Sequence, residues 1–295
     1  MTDRMLDGVT PSGLTRRRFA RRAATWVVAS GAMAALAACG SKAPAKSAAK
    51  KTTKPHGATE SAHGAEAGAH GAPHWDYEGV GGPDRWAELA PENAVCSAGS
   101  TQSPIDIAGT QPGLLGRTGI KWQSAPLSVV NNGHTIQADV TNGGAIEVDG
   151  VPYNLVQFHF HAPSEHTVDG KRFALETHFV HKSAKGDLAV IGVLHDMGAA
   201  NAALAPLWAA LPATTDERKE LPSFDLARML PQSRSMYRYA GSLTTPPCTE
   251  GVRWHVLQAP TTVSEAQVQA FNTIIKPNAR PVQPLKARDL LKESL

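Results

Sequence analysis

The chain has 295 residues, 42% hydrophobic, 6% aromatic and 19% charged, with 26 Gly, 21 Pro and 3 Cys. That length can bury one large core or two small ones, and the composition excludes a collagen, a coiled coil and a wholly disordered polymer. The formal charge of +3 suggests a polyanion binder until its distribution is read: residues 75–295 hold 18 basic and 22 acidic groups, net −4, because six arginines and only two acids fall in the first 38 positions and five lysines and two glutamates in residues 39–74. No basic stripe for nucleic acid remains, and no later stretch is apolar enough to span a bilayer.

In chain order, Thr15-Arg16-Arg17-Arg18-Phe19-Ala20-Arg21 reads as a twin-arginine export signal, followed by an uncharged stretch from Ala23 to Ala38. That stretch is too short to cross a bilayer but suits the apolar region of a signal peptide. It ends in Leu36-Ala37-Ala38-Cys39, which looks like a lipobox whose cysteine is acylated. Residues 1–38 are therefore expected to be an export signal. The mature protein is expected at the cell envelope, periplasmic or on the outer face of the cytoplasmic membrane, touching the membrane only through lipid on Cys39.

Residues 39–74 are mostly Ala, Lys, Gly, Ser and Thr without hydrophobic periodicity, which predicts a disordered tether. His56, His63 and His70 recur every seven residues, with His74 following. A tract of this kind can capture metal loosely, but the plainer reading is a soluble linker. With Cys39 assigned to lipid, Cys96 and Cys248 are left as a pair in an oxidising compartment, where disulfides persist.

From Trp75 to the end the pattern is that of one domain. Runs of strand length fall at Leu127–Val130, His134–Val140, Ala145–Val148, Tyr153–His161, Arg172–His181, Leu188–Leu194 and Val252–Leu257, bounded by Gly, Pro and Asn. Helical signals are few, the best being Asn201–Leu211 and Ser264–Ile275. The expected class is mainly β within α+β, a single domain on a large, mostly antiparallel sheet with short surface helices.

Two histidines at i and i+2 in Gln157-Phe158-His159-Phe160-His161 share one face of a strand, while the phenylalanines take the other. The Asp169-Gly170 dipeptide predicts a tight hairpin leading into Glu176-Thr177-His178-Phe179-Val180. Taken as the two loop residues, they would set His161 directly opposite His178. Three imidazoles on one face, with no cysteine or carboxylate to close a tetrahedron, describe a catalytic zinc site with an open position. Gln157 and Glu176 share the face of the histidine two residues on, where an acceptor can fix the ring tautomer.

These residues carry a resemblance to the α-class carbonic anhydrases. It extends through Trp75-Asp76-Tyr77, Gly82-Pro83, Gln102-Ser103-Pro104-Ile105-Asp106, Asn132-Gly133-His134, Ser164-Glu165-His166, Gly241-Ser242-Leu243-Thr244-Thr245-Pro246-Pro247 and Asn278-Ala279-Arg280-Pro281-Val282-Gln283-Pro284. The resemblance implies a twisted central sheet of about ten strands and a carbonate dehydratase, a zinc lyase that hydrates CO2 reversibly to bicarbonate and a proton. His159, His161 and His178 would hold Zn²⁺, which lowers the pKa of its water from 15.7 to about 7, a magnitude established on carbonic anhydrase itself. The resulting hydroxide would attack CO2.

By the same resemblance, Thr244 accepts the hydroxide's hydrogen bond and passes its own to Glu165. Val180, Val190, Leu243, Thr245 and Trp254 form the substrate pocket. His134 is the proton shuttle, with Tyr77, Asn132 and Gln137 ordering the intervening water, and Asn278 joins Gln157 and Glu176 behind the ligands. Cys96 and Cys248 match the disulfide of secreted relatives, and Ser103-Pro104 and Pro246-Pro247 are the expected cis bonds. Thr177 and Ala279 replace residues that are apolar or aromatic in many relatives, and Gln137 stands where many have Asn. The rival readings are a cupin, in which His159, His161 and Glu165 would all be ligands, and a protein that merely holds metal, either a zinc-binding lipoprotein or a catalytically silent relative of the anhydrases.

Overall fold

Where apolar and β-branched residues alternate with polar ones between Gly, Asn and Asp turns, the computed structural model has strands. It describes residues 74–113 and 118–293. The export signal, Cys39 and all of the tether but His74 lie outside the described residues.

Ten strands lie side by side in the order Arg218–Phe224, Ala125–Asn131, Ile136–Val140, Val151–His161, Leu175–Ser183, Leu188–Met197, Glu250–Leu257, Met236–Ser242, Leu291–Glu293 and Gln111–Gly113. Gly119–Trp122, Gly144–Val148 and Thr261–Val263 attach to that path, making thirteen strands in one sheet. Neighbours are antiparallel except where Leu188–Met197 meets Glu250–Leu257 and Thr261–Val263, and where Leu291–Glu293 meets Gln111–Gly113. The sheet is thus mixed but predominantly antiparallel, as expected.

Helices are short. Glu265–Ile274 begins at the expected Ser264, whose hydroxyl accepts from Gln267 N while the Gln267 side chain accepts from Ser264 N, a complete capping box. The helix expected over 201–211 shrinks to Ala205–Trp208. Five short helical turns between Gly79 and Ala98 had no hydrophobic period long enough to announce them. Among the described residues no helix is long and apolar enough to cross a membrane.

The sheet separates two apolar clusters. Phe158, Phe160 and Phe179 are wholly buried with Leu204, Leu207 and Phe271 on one side. Val180, Val190, Trp254, Ile105 and Tyr239 form the second cluster. Because a strand alternates faces, the first cluster directs His159, His161 and His178 toward the opposite side.

One sequence expectation is corrected. His178 pairs with His159, and His161 pairs with Glu176, so the register is displaced by two residues from that predicted. Asp169 and Gly170 do form the tight turn, both at positive φ, and Thr167↔Arg172 and Val168↔Lys171 keep the predicted partners. That hairpin, however, belongs to a separate small sheet with Asp106–Ile107. Five residues (162–166) leave the strand before it and three (173–175) separate it from Glu176, and this inequality displaces the register. A shift by an even number preserves the face, so the three-histidine grouping survives.

The expected cis bonds at Ser103–Pro104 and Pro246–Pro247 are present, with a third at Ala162–Pro163. Thr177 also finds its reason. Its hydroxyl lies 2.8 Å from His195 Nε2, and Thr261 Oγ1 lies 2.5 Å from His195 Nδ1, so two hydroxyls satisfy a buried imidazole. Burial pulls the His195 pKa down to about 4. Thr177→Val should therefore strand one ring nitrogen and cost about 1–3 kcal/mol. A thermal or urea unfolding measurement checks this, and a variant as stable as the parent would contradict it.

Candidate metal centre

His159, His161 and His178 each offer one ring nitrogen, and these three atoms lie within 4.8 Å of one another. What selects each nitrogen is the partner of the other. His159 Nδ1 is 2.8 Å from Gln157 Oε1, and His161 Nδ1 is 2.7 Å from the Asn278 carbonyl oxygen. His178 Nε2 is 2.8 Å from Glu176 Oε1. Every partner is an acceptor, so each contacted nitrogen carries the proton and donates. The lone pairs remain on Nε2 of His159, Nε2 of His161 and Nδ1 of His178. Burial lowers the His178 pKa and takes that of His161 down to about 4, which keeps both rings neutral and able to ligate. His161 Nε2 is a buried nitrogen with no hydrogen-bond partner, as a metal-facing atom should be.

Glu176 is the keystone behind these rings. Its Oε1 accepts from His178 Nε2 and, at 2.7 Å, from His166 Nδ1, while Oε2 accepts from the backbone N–H groups of Glu165 and His166 at 2.9 Å each. Burial alone would raise its pKa, but His166 and His178, with their hydrogen bonds, hold it well below the usual carboxylate range. The chain continues from His166 Nε2 to the Tyr239 hydroxyl at 2.6 Å and from there to Ser103 Oγ at 2.9 Å. His166, Glu176 and His178 also group as possible ligands. Their facing atoms are already bonded to one another, which leaves the first triad as the group whose free lone pairs could hold a metal.

Glu165 is wholly buried beside it, with Oε2 3.4 Å from His161 Nε2 and 3.8 Å from His178 Nδ1. Its Oε1 accepts from Arg280 N at 2.9 Å. Burial raises its pKa to about 7, against the lowering effects of His178, the Arg280 N–H and the Thr244 hydroxyl. Oε2 itself has no partner in full hydrogen-bond geometry. Thr244 is buried in the turn before Cys248, whose N–H bonds to the Thr245 carbonyl at 2.8 Å.

The apolar wall is assembled across three strands, with Val180 opposite Val190 and Val190 opposite Trp254. Leu243 packs on the same cluster, half-buried. On the other flank, Asn132 Oδ1 accepts from the N–H groups of His134 and Thr135 at 3.0 and 2.9 Å, forming the turn that presents His134. Gln137 pairs with His159 across the strands, gives its Nε2 to Asp139 at 2.6 Å, and has a buried Oε1 without a protein partner. Tyr77 is half-buried, and desolvation, followed by the charge of Glu165, pushes its hydroxyl well above the usual tyrosine range.

Asn278 ties both flanks together. Its carbonyl holds His161, its Oδ1 accepts from Ala162 N at 2.8 Å, and its Nδ2 donates to the His134 carbonyl at 3.0 Å. Cys96 and Cys248 are joined as expected. Sequence reasoning missed the work of Arg280, which is buried and donates to Gln102 Oε1, the Ser103 carbonyl and the Cys96 carbonyl at 2.9, 2.7 and 2.7 Å. It also missed His166 and Tyr239. Nothing in one sequence separates such residues from ordinary polar ones, because the bonds that join His166 to Tyr239 and Arg280 to Cys96 span 73 and 184 residues.

A sheet of this order brings three imidazoles together beside a buried glutamate and an apolar wall, a grouping that could hold a metal ion next to an apolar pocket. Residues 81–294 match the sequence profile of the eukaryotic-type carbonic anhydrases. A carbonic anhydrase of Klebsiella pneumoniae is 45% identical over 225 residues, covering 75% of this chain and 92% of that protein. One of Pectobacterium carotovorum is 43% identical over 220 residues, covering 74% and 90%. The structure of the α-carbonic anhydrase of Thermovibrio ammonificans, in complex with the inhibitor sulfanilamide, superposes with a TM-score of 0.73 at 44% identity, covering 75% of this chain and all of that one. The chain belongs to the α-class carbonic anhydrase family. It is an enzyme that interconverts CO2 and bicarbonate, and the cupin reading falls away.

Proposed function

We propose that the chain hydrates CO2 with one zinc ion held by His159, His161 and His178, and that His134 carries the proton away. Zinc held by three neutral imidazoles supplies Lewis-acid activation of a water at neutral pH. Thr244 accepts the hydrogen bond of the oxygen nucleophile and gives its own hydroxyl proton to the Glu165 carboxylate. That direction turns an oxygen lone pair toward CO2. A cation among the rings favours the ionised form of Glu165 on which this depends.

Val180, Val190, Leu243 and Trp254 receive CO2, which has no dipole to satisfy, and Thr245 completes the pocket. The Thr244 amide faces the product oxygens. Water held between Tyr77, Asn132 and Gln137 connects the site to His134, and the orphan Oε1 of Gln137 is an acceptor for it. Export and anchoring at Cys39 belong to the same proposal on the strength of the Thr15–Arg21 and Leu36–Cys39 runs.

The observation that carries this reading is the convergence of three ring nitrogens whose tautomers are all fixed by acceptors behind them. Elemental analysis of the purified chain should give one zinc per molecule. Dialysis against a strong chelator should remove both the zinc and the proton release that follows CO2 addition in stopped flow, and added zinc should restore both. Full activity in metal-free protein would overturn it.

A further inference from the structure

His134 does not stand alone at the rim. The Trp75 indole lies flat on its imidazole, with ring centroids 3.6 Å apart and planes 9° from parallel. The His74 ring stacks on the same imidazole at 4.9 Å and 23°. Trp75 is held edge-on by Tyr77 and Trp86, both at 5.5 Å. Trp86 in turn is wholly buried and donates Nε1–H to the carbonyls of Asp76 and Gly81 at 2.8 and 3.0 Å. Trp75 is therefore packed from behind by a buried ring, and the stack brings an exposed histidine against a half-buried one. His74, counted with the tether on composition, meets the domain at this point.

From this stack we infer that His74 is a second proton relay in series with His134. The inference rests on the shuttle role proposed above. Product formation leaves one proton to be expelled, and His134 receives it as an imidazolium. The proton then passes to the neutral His74 imidazole, restoring neutral His134, and leaves His74 for a buffer base in solution. Stacked rings do not point their N–H groups at one another, so the transfer runs through a water at their edges. Two imidazolium charges about 5 Å apart repel, which makes the stack a carrier of one proton at a time. Exposure decides the direction: His74 meets buffer molecules that reach His134 less readily beneath Trp75. Trp75 is a positioning residue that keeps the two rings in register.

Stopped-flow CO2 hydration by the full chain tests this with His74→Ala, His74→Phe, His134→Ala and the His74→Ala/His134→Ala double variant. In dilute buffer, His74→Ala should lower kcat roughly three- to tenfold while kcat/KM holds, and concentrated imidazole should restore it. Phenylalanine keeps the stack but carries no proton, so His74→Phe should fall as His74→Ala does; full activity in His74→Phe would reduce His74 to a packing role and overturn the relay. The double variant should be no slower than His134→Ala, because steps in series do not add. If His134→Ala is slow but His74→Ala matches the parent at every buffer concentration, the relay is wrong and the shuttle stands. If His134→Ala is itself as fast as the parent in dilute buffer, the shuttle fails and the relay with it. A His74→Ala defect that imidazole leaves in place also overturns the relay.

Discussion

His178→Ala should lose zinc and lower CO2 hydration by about a thousandfold or more, while the chain stays folded. Two imidazoles cannot replace three at a catalytic zinc site. Without the ion, the attacking water returns toward its pKa in bulk, and three powers of ten correspond to only about 4 kcal/mol of the barrier. The fold should persist because Glu176 keeps three of its four donors, His166 Nδ1 and the two backbone N–H groups. Glu176→Gln is the informative companion. A glutamine oxygen in the place of Oε1 can still accept from both rings, but its NH2 then faces the N–H groups of Glu165 and His166, donor against donor. Loss of such a supporting residue is expected to weaken zinc affinity by about 10- to 100-fold and not to abolish activity at saturating metal. Zinc titration with a chromophoric chelator, beside stopped flow, separates the two variants. Undiminished activity in His178→Ala would remove that residue from the ligand set.

How much of this was legible in sequence depended on whether the chemistry was periodic. The i, i+2 spacing of His159 and His161 required an extended strand, and the alternation that buries Phe158 and Phe160 turned both imidazoles to one side. Gln157 and Glu176 were legible for the same reason, each standing two residues before the ring that it holds. The exact pairing was not legible. It depends on how many residues leave the strand around Asp169-Gly170, and Ser164 and Glu165, on that detour, are held by tertiary bonds to Phe173 and Arg280. Strands such as Met236–Ser242 and Arg218–Phe224 escaped because their Arg, Gly, Glu and Pro content hides a face that only the neighbouring strands define. The assignment of His134, Thr244 and Leu243 came from resemblance alone. Each lies in a turn or at its edge, where no period exists to read.

Replacing both Cys96 and Cys248 by serine should lower the melting temperature by on the order of 10 °C without preventing folding. The bond closes a loop of 152 residues. In the chain-entropy description this restricts the unfolded chain by about 5 kcal/mol, an upper value, and a domain of this size shifts roughly 2–4 °C per kcal/mol. Folding should survive because other ties span the same junction. Gln102 Nε2 donates to the Cys248 carbonyl at 3.1 Å and to Glu250 Oε1 at 3.1 Å, and Thr101 N donates to Glu250 Oε1 at 2.6 Å. Arg280 holds the Cys96 carbonyl from the other side at 2.7 Å. The turn that carries Thr244 is also closed independently, by Leu243 N–H to the Thr249 carbonyl at 2.9 Å and Cys248 N–H to the Thr245 carbonyl at 2.8 Å. Activity at 25 °C should therefore drop less than tenfold while thermal resistance drops sharply. Calorimetry on oxidised parent and double variant decides the first point, and stopped flow decides the second. An unchanged melting temperature would mean that the hydrogen bonds alone restrain this junction, and a collapse of activity at 25 °C would mean that the bond, more than the turn's own backbone, holds Thr244 in place.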